Sequence, residues 1–301
     1  MGSQTYPACQ SAIVHFAANF MTQHLAVIQQ VVVPGPVENC WKYLSDPRFV
    51  SEWFADTDQI ELQRSVHFAF GDGDYFSGTI VEVEEPTFIR LTWKFMNLGA
   101  FSEISFFLCP LGRNTEVTVV DRGEYTAEGV TDLREGWGDF LSRLERRIRT
   151  GENSRYRWSP DICIGALVQC DRLSLLRTLR DLSWWRAVFP ESVHTVLTES
   201  DDDDSVQAIF EQPAWSGRQT QAVVKITRKC DGIGVSVKHT GWAGLPQDLQ
   251  LDARRQFAAL WQEALLKLER RFGINYKCPS TGGENSARSF GVPPVSKAVD
   301  C

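Results

Sequence analysis

A pattern of residues in the middle of the chain recurs near its end, and this repeat limits the possible folds more than any other feature. Trp137 stands seven residues before the run Leu-Glu-Arg-Arg that begins at Leu144, and Trp261 stands seven residues before the same run, which begins at Leu268. Self-similarity of this kind is typical of a chain built from two units of one architecture. We therefore expect two domains with the same order of elements.

The first unit opens with a strand and two short helices. A predicted strand over residues 25–33 ends at Pro-Gly-Pro, and residues 37–44 then place apolar side chains at helical spacing. A second short helix is predicted over residues 46–54, because it begins with Asp-Pro, the residues preferred at the N-cap and first helical positions. Residues 181–189 repeat this segment in the second unit.

A series of short runs rich in aromatic and β-branched residues follows the two helices. Such runs, separated by turn residues, are typical of antiparallel strands, and Asp-Gly within residues 71–74 favours a tight hairpin turn. The six runs cover residues 60–62, 66–70, 75–83, 88–95, 102–108 and 115–121.

The first unit closes with a long amphipathic helix. Its apolar residues recur at steps of three and four, which places them on one face that must lie on the sheet. These residues are Val130, Leu133, Trp137, Phe140, Leu141, Leu144 and Ile148. Sheet and helices together predict an α+β fold for each unit.

Polar and turn-rich stretches set the expected domain bounds. We predict a flexible N-terminal extension over residues 1–24, a first domain over 25–150, a linker over 151–160, a second domain over 161–273 and a disordered tail over 274–301. The second unit is shorter than the first by 11 residues between matched landmarks, and this deficit predicts the loss or shortening of one hairpin.

Composition excludes several classes of function. A net charge of -7 disfavours binding to nucleic acid, and no apolar run is long enough to cross a bilayer. The N-terminus lacks the features of a secretory signal, so a cytoplasmic location is expected. The eight cysteines form no Cys-x-x-Cys pair and are expected to be reduced, and no phosphate loop or dinucleotide fingerprint is present, so neither a metal nor a cofactor is predicted.

The order of elements resembles the START-like, or SRPBCC, superfamily, whose helix-grip fold wraps a curved antiparallel sheet around a long C-terminal helix. Within it, the chain is similar to the branch of the activators of the heat-shock-protein ATPase. The resemblance covers residues 25–149 well and residues 161–272 more weakly. It is carried by residues 34–41, 44–47, 53, 71–73, 78–86, 91–93 and 136–137, and by residues 238–242 of the second unit.

A helix-grip domain leaves a cavity between sheet and long helix, and aromatic residues predicted to point inward could hold a flat, apolar ligand there. The alternative is that these rings only fill the core. The candidates in the first unit are Trp41, Trp53, Phe68, Phe70, Phe76, Trp93, Phe95, Phe106 and Trp137.

Polar groups near the long helices form a second set of candidates. Neighbouring strand residues point to opposite faces, so only one of Asp121 and Arg122 can face inward. An inward acid, arginine or histidine could orient or protonate a carbonyl, whereas the alternative is a solvated exit from the last strand. The candidates are Asp121, Arg122, Glu124 and Tyr125 in the first unit and Lys238, His239 and Trp242 in the second.

Three functional hypotheses follow from this resemblance and this candidate site. The first is binding of an apolar, aromatic or polyketide-like small molecule by a cyclase, carrier or self-resistance protein of secondary metabolism; an enzyme of this kind would be a cofactor-independent cyclase, aromatase or lyase. The second is a cochaperone-like interaction module without a small ligand, for which a chaperone would be the partner. The third divides the roles, with ligand in the first unit and the second unit as scaffold.

Overall fold

The structure, a computed structural model, describes residues 25–123, 125, 127–156, 161–198, 200, 202–229 and 232–273. Its fold is α+β, with two antiparallel sheets that each accompany two short helices and one long helix, as predicted. The predicted N-terminal extension and C-terminal tail lie outside the described residues.

The first unit has six strands and three helices. Its strand order is β1-β6-β5-β4-β3-β2, so the first and last strands pair and the rest form a meander. The elements are β1 (Leu25–Pro34), α1 (Val37–Ser45), α2 (Pro47–Val50), β2 (Ser65–Ala69), β3 (Tyr75–Glu84), β4 (Phe88–Phe95), β5 (Ser102–Leu111), β6 (Asn114–Gly123) and α3 (Ala127–Thr150).

The second unit repeats this arrangement with one strand fewer. Its order is β7-β11-β10-β9-β8, which leaves the edge strand β2 of the first unit without a counterpart. The predicted deficit therefore corresponds to one edge strand. The elements are β7 (Ile162–Val168), α4 (Arg172–Leu179), α5 (Leu182–Val188), β8 (His194–Thr198), β9 (Ser205–Glu211), β10 (Gln219–Lys229), β11 (Gly232–Thr240) and α6 (Gln247–Phe272).

Two local predictions for the first unit differ from the structure. Residues 60–62, predicted as a strand, form a loop. The helix that begins after Asp46 ends at Val50 instead of Phe54, and the following turn places the indole N–H of Trp53 2.8 Å from the carbonyl oxygen of Tyr43. That buried hydrogen bond satisfies the indole N–H and fixes the orientation of the ring.

Each unit has its own core, and the first unit also contributes to the second. Met96 and Leu98, which follow β4, are buried in the second unit's core, and Tyr75 and Phe95 pack against it. The end of the β3–β4 hairpin therefore lies in a boundary between the units.

A buried arginine of the second unit completes this boundary. The Arg254 guanidinium, with no exposed surface, donates to both carboxylate oxygens of Asp74 at 2.8 Å and to the carbonyl oxygens of Asp72 at 2.7 Å and Asp161 at 3.0 Å. Gly73 fits between them because an added Cβ would lie 3.0 Å from the Cβ of Ala258 on α6. The predicted hairpin turn thus contacts the second unit's long helix.

The cysteines and helices test two further predictions. Cys40, Cys163 and Cys170 are free thiols, but Cys109 is disulfide-bonded, so the prediction of reduced thiols is wrong for that residue. Among the described residues, no helix is both long and apolar enough to cross a membrane.

The close approach of β3 and β4 generates a first prediction. A Cβ on Gly78 would lie 1.7 Å from the carbonyl oxygen of Thr92, so Gly78→Ala forces the strands apart and should lower the free energy of unfolding by about 3 kcal/mol. Gly138→Ala is the matched control, because its Cβ meets nothing within 4 Å and helix propensity should raise stability by about 0.5–1 kcal/mol. Urea denaturation measures both, and equal stabilities would contradict the proposed crowding.

The boundary generates a second prediction. Arg254→Met leaves the buried carboxylates of Asp74 and Asp72 without their cation and should lower the free energy of unfolding by about 3 kcal/mol. Arg177→Met, at an exposed position of α4, should change it by less than about 0.5 kcal/mol. Denaturant melts of both variants check this, and a small effect at Arg254 would show that water reaches the boundary.

Candidate functional site

A small cavity lies in the first unit between the two short helices and the inner face of the sheet, which is the face that carries the core. Its volume is about 30 Å³, which leaves room for little more than one or two water molecules. Every residue that lines it is apolar. The lining residues are Leu44, Val50, Trp53, Phe54, Ile60, Phe68, Ile80, Ile89, Leu91, Trp93 and Phe106.

Stacked aromatic rings occupy the space beside this cavity. The ring centroids of Trp93 and Phe76 are 4.1 Å apart, and Trp93 also lies nearly parallel to Trp137 at 5.7 Å. Phe54 stacks on the same indole at 6.2 Å. Because these rings pack against one another, the cavity is far smaller than the roughly 300–1,000 Å³ typical of a small-molecule site.

The structure separates the predicted aromatic residues into three groups. Trp53, Phe68, Trp93 and Phe106 line the cavity. Trp41, Phe70, Phe76 and Trp137 belong to the surrounding core. Phe95, predicted to face the same cavity, packs instead against the second unit's core, because it ends β4 where the chain crosses the boundary.

The remaining lining residues were absent from the sequence-based candidates. Ile89 and Leu91 alternate with Trp93 along β4 and so share its inward face. This alternation is visible in the sequence, but a choice of candidates by aromatic residue type does not include it. Phe54 lies in a turn where no periodicity applies, and the sequence gives no direct signal for it.

Asp121 is the inward member of the predicted Asp-Arg pair. Its buried carboxylate accepts the Trp137 indole N–H at 2.7 Å and the Tyr125 hydroxyl, whose oxygen lies 2.7 Å from the hydroxyl of Ser102. Burial raises the pKa of Asp121 above its ordinary value, although the bonds from Tyr125 and Trp137 offset part of that effect. Burial, and then the charge of Asp121, raises the pKa of Tyr125. The Asp121 carboxylate is thus held in place as an acceptor, and it already accepts two hydrogen bonds.

Arg122 points to the outer face, as alternation requires. Its guanidinium lies 3.4 Å from the Glu103 carboxylate, which also lies 3.6 Å from Arg90. Arg90 contacts Glu82 at 2.6 Å, so a row of alternating charges crosses four strands, β3 to β6. Arg122 is thus removed from the cavity.

His239 occupies the matching place in the second unit. Its Nδ1 accepts the Trp261 indole N–H at 2.9 Å, which requires the tautomer whose Nε2–H donates to the Thr220 hydroxyl at 2.8 Å. The Trp242 indole in turn donates to the His239 carbonyl at 3.1 Å. Burial, and then the charge of Arg254, lowers the pKa of His239 well below its ordinary value. His239 and Trp242 are therefore parts of a packed core.

Acidic residues elsewhere form no metal-binding arrangement in the described part of the chain. In the acidic turn over residues 202–204, Asp204 pairs with Arg172 and Asp202 lies 3.8 Å from Lys225. These carboxylates diverge toward separate cations.

The buried histidine generates a third prediction. Because His239 stays neutral in the folded protein, the unfolded chain takes up a proton below pH 6.5 that the folded protein does not. The stability that depends on this residue is complete above pH 6.5 and falls by about 1.4 kcal/mol for each pH unit below it.

His239→Gln should flatten this slope in denaturant melts between pH 6.5 and pH 5, whereas His67→Gln, at an exposed position, should retain it. The same slope in both variants would mean that another group controls the acid sensitivity.

Comparison with solved structures gives a match that spans both units. The crystal structure described as DynU16, a putative protein in the dynemicin biosynthetic locus, is 28% identical, covers 81% of this chain and 98% of its own, and has a TM-score of 0.71. Two shorter likenesses are CalU16 from Micromonospora echinospora (21% identity, 45% of this chain and 77% of the other, TM-score 0.37) and the Aha1 dimer from Colwellia psychrerythraea (16%, 42% and 98%, 0.38). The comparison with curated proteins finds no match.

The sequence profile of one protein family matches the first unit over residues 34–149. Those residues include all the residues that line the cavity. The first unit is therefore similar to the family described as Activator of Hsp90 ATPase homolog 1-like protein, which is the branch that the sequence resemblance implied.

Proposed function

We propose that the first unit binds an apolar, flat small molecule, aromatic or polyketide-like, between its two short helices and the inner face of its sheet. The observation that carries this proposal is the cavity of about 30 Å³ with a wholly apolar lining. A void in a core costs free energy because its lining loses packing contacts. A ligand that enters restores those contacts.

Binding requires the site to open. The present volume admits no aromatic molecule, so α1 and α2, which supply Leu44 and Val50 to one wall, must move away from the sheet. Each 100 Å² of apolar surface that the ligand then buries contributes about 2.5 kcal/mol. Trp93 offers a flat face for stacking once Phe54 gives way.

The relative that spans both units supports the class of ligand. DynU16 is described as a putative protein in the dynemicin biosynthetic locus, and a protein of such a locus has natural products or their precursors as available ligands. We extend that setting to this chain as part of the proposal.

The apolar lining favours a carrier or sequestering protein over an enzyme. General acid or base catalysis needs a titratable group within hydrogen-bond reach of the reacting atom, and none of the lining residues has one. Asp121, a buried acid of the same unit, is not among the lining residues and already accepts two hydrogen bonds. Self-resistance by sequestration needs only the cavity.

The second unit fits the role of scaffold. Its core holds five aromatic rings in contact with one another, those of Trp185, Phe189, Phe210, Phe257 and Trp261. A packed core of this kind resists opening, and the Arg254 contacts hold it against the first unit. We therefore assign ligand binding to the first unit.

The cochaperone alternative remains a distinct outcome of the tests. It expects an exposed patch on the outer face of the sheet, where Phe88, Phe107 and Val120 are buried. Stimulation of a chaperone ATPase by the protein, without any small ligand, would favour that alternative over the present proposal.

A cavity-filling variant gives the fourth prediction. Leu91→Phe places extra carbon atoms in the cavity and should change stability by less than about 1.5 kcal/mol while it abolishes ligand binding. In thermal melts against a panel of aromatic polyketides, a ligand present at 100 times its Kd should stabilise the unmodified protein by about 2.7 kcal/mol and the variant not at all.

Val224→Ile, in the second unit's core, is the matched control and should keep the ligand response. Native mass spectrometry of protein from its host provides an independent readout, with a co-purifying molecule expected. No ligand in either assay, or an equal response from Leu91→Phe, would contradict the proposal.

A further inference from the structure

A cleft on the second unit is much larger than the cavity of the first. Its volume is about 380 Å³, and it lies between α4 and the turn before β9. That volume falls within the roughly 300–1,000 Å³ typical of a small-molecule site, so the cleft has room for an organic molecule as it stands. The described residues that line this arginine cleft are Arg172, Leu173, Leu176, Arg177, Arg180 and Asp203.

Helical spacing brings the arginines to one side of α4. Arg172, Leu176 and Arg180 follow one another at steps of four residues, and Leu173 and Arg177 form a second row beside them. Residues four apart are neighbours on a helix surface. Leu176 is buried in the second unit's core. The cleft thus combines an apolar floor with three cationic groups.

Two of the guanidiniums converge on one backbone oxygen. Nη2 of Arg172 lies 3.3 Å from the carbonyl oxygen of Asp203, and Nη2 of Arg180 lies 3.2 Å from the same atom. The two cations are therefore held close together despite their mutual repulsion, and a carbonyl oxygen offers them only a partial negative charge. An anion in the cleft would relieve that repulsion.

Nearby acids offset only part of this positive charge. Asp204 forms an ion pair with Arg172. The described lining then holds Arg177 and Arg180 against a single carboxylate, that of Asp203. Neither of these two arginines forms an ion pair with a described residue, and Arg177 forms no hydrogen bond with one either. The cleft therefore keeps an excess of positive charge in a chain whose net charge is -7.

The fold itself does not require these arginines. Asp46 and Asp181 cap the equivalent helices α2 and α5, so residues of the two units can be matched by their distance from the capping aspartate. At the three matched positions the first unit carries one cation where the second carries three. The pairs are Val37 and Arg172, Lys42 and Arg177, and Ser45 and Arg180.

An exposed leucine borders the arginines. Leu173 exposes 63% of its surface, more than any other large apolar side chain that the structure describes. Removal of apolar surface from water contributes about 25 cal/mol per Å². A ligand with an apolar part next to its charged group would cover this side chain while it binds the guanidiniums.

We propose that the arginine cleft binds a small organic anion, whose carboxylate or phosphate group contacts Arg177 and Arg180 and whose apolar part lies on Leu173. Guanidinium groups bind both kinds of oxyanion through paired N–H donors. The site lies on the surface of the second unit, so the aromatic core beneath it keeps its role of support. The inference is independent of the ligand proposed for the first unit.

Isothermal titration of the full chain with three naphthalene probes tests the site. The probes are naphthyl phosphate, naphthoate and the neutral naphthamide. We expect at least one anion to bind about tenfold more tightly than the amide, and its binding to weaken several-fold at high salt, because salt screens exposed charges. The tighter of the two anions identifies the charged group of the ligand. No binding of either anion, or equal affinity for the amide, would overturn the proposal.

Charge variants locate the site. Arg177→Gln and Arg180→Gln should each weaken binding of the anion about tenfold, because each removes a charge-assisted hydrogen bond. Arg186→Gln, at an exposed position of α5 outside the cleft, is the matched control and should change the affinity by less than about twofold. Asp203→Asn should strengthen binding several-fold, because it removes the competing carboxylate. The same affinity in both cleft variants as in the control would contradict the assignment.

The naphthalene probes are also flat enough for the first unit, and Leu91→Phe separates the two sites. This variant fills the first unit's cavity, so anion binding that depends on Arg177 should be the same in it as in the unmodified chain. Loss of anion binding in Leu91→Phe would place the probe in the first unit and overturn the present proposal. Failure of neutral ligands to bind would concern only the first unit.

Protection from an arginine reagent gives a readout that needs no variant. Phenylglyoxal modifies exposed guanidiniums, and peptide mass spectrometry identifies the modified positions. With the tighter anion at about ten times its Kd, modification of Arg177 and Arg180 should slow about tenfold, whereas Arg186 should react at its original rate. Unchanged rates at Arg177 and Arg180 would show that the anion binds elsewhere.

Discussion

One indole N–H in each unit ties the long helix to the last strand, and the arrangement of the core follows from it. Trp137 donates to Asp121, and Trp261 donates to His239. An indole donor buried without an acceptor would cost about 1–3 kcal/mol, so the polar residue must stand opposite the ring. The bond fixes how the helix is rotated about its axis. It thereby sets the side chains that face the sheet.

The two acceptors differ, and the surroundings of each unit differ with them. A carboxylate can accept several donors, so Asp121 also binds Tyr125 near the end of the sheet. A neutral imidazole has one acceptor nitrogen and takes a single donor, and His239 donates its own Nε2–H to the hydroxyl of Thr220. The first unit therefore keeps a charged or titratable group beside its aromatic stack. The second unit closes into a neutral core, which agrees with a division between binding and support.

Periodic patterns predicted most of the fold, because they report burial directly. The stripe from Val130 to Ile148 became the long helix α3, and Asp46 caps α2 with its side chain as predicted. Short runs without a period were less informative, and residues 60–62 prove to be a loop. For the candidate site, residue type alone selected Phe95, whose position at the boundary depends on contacts between units that no local pattern contains.

The boundary between the units has a consequence for anyone who divides this chain for separate expression. Met96 and Leu98 sit inside the second unit's core, and Gly73 lies against Ala258. Division of the chain near residue 155 would expose the apolar end of the hairpin on one fragment and the apolar core that receives it on the other. Each fragment would then be prone to self-association. Exchange of one half for that of a relative would meet the same obstacle unless the hairpin tip and the helix that receives it were transferred together. The two units of this protein can thus be transferred only together.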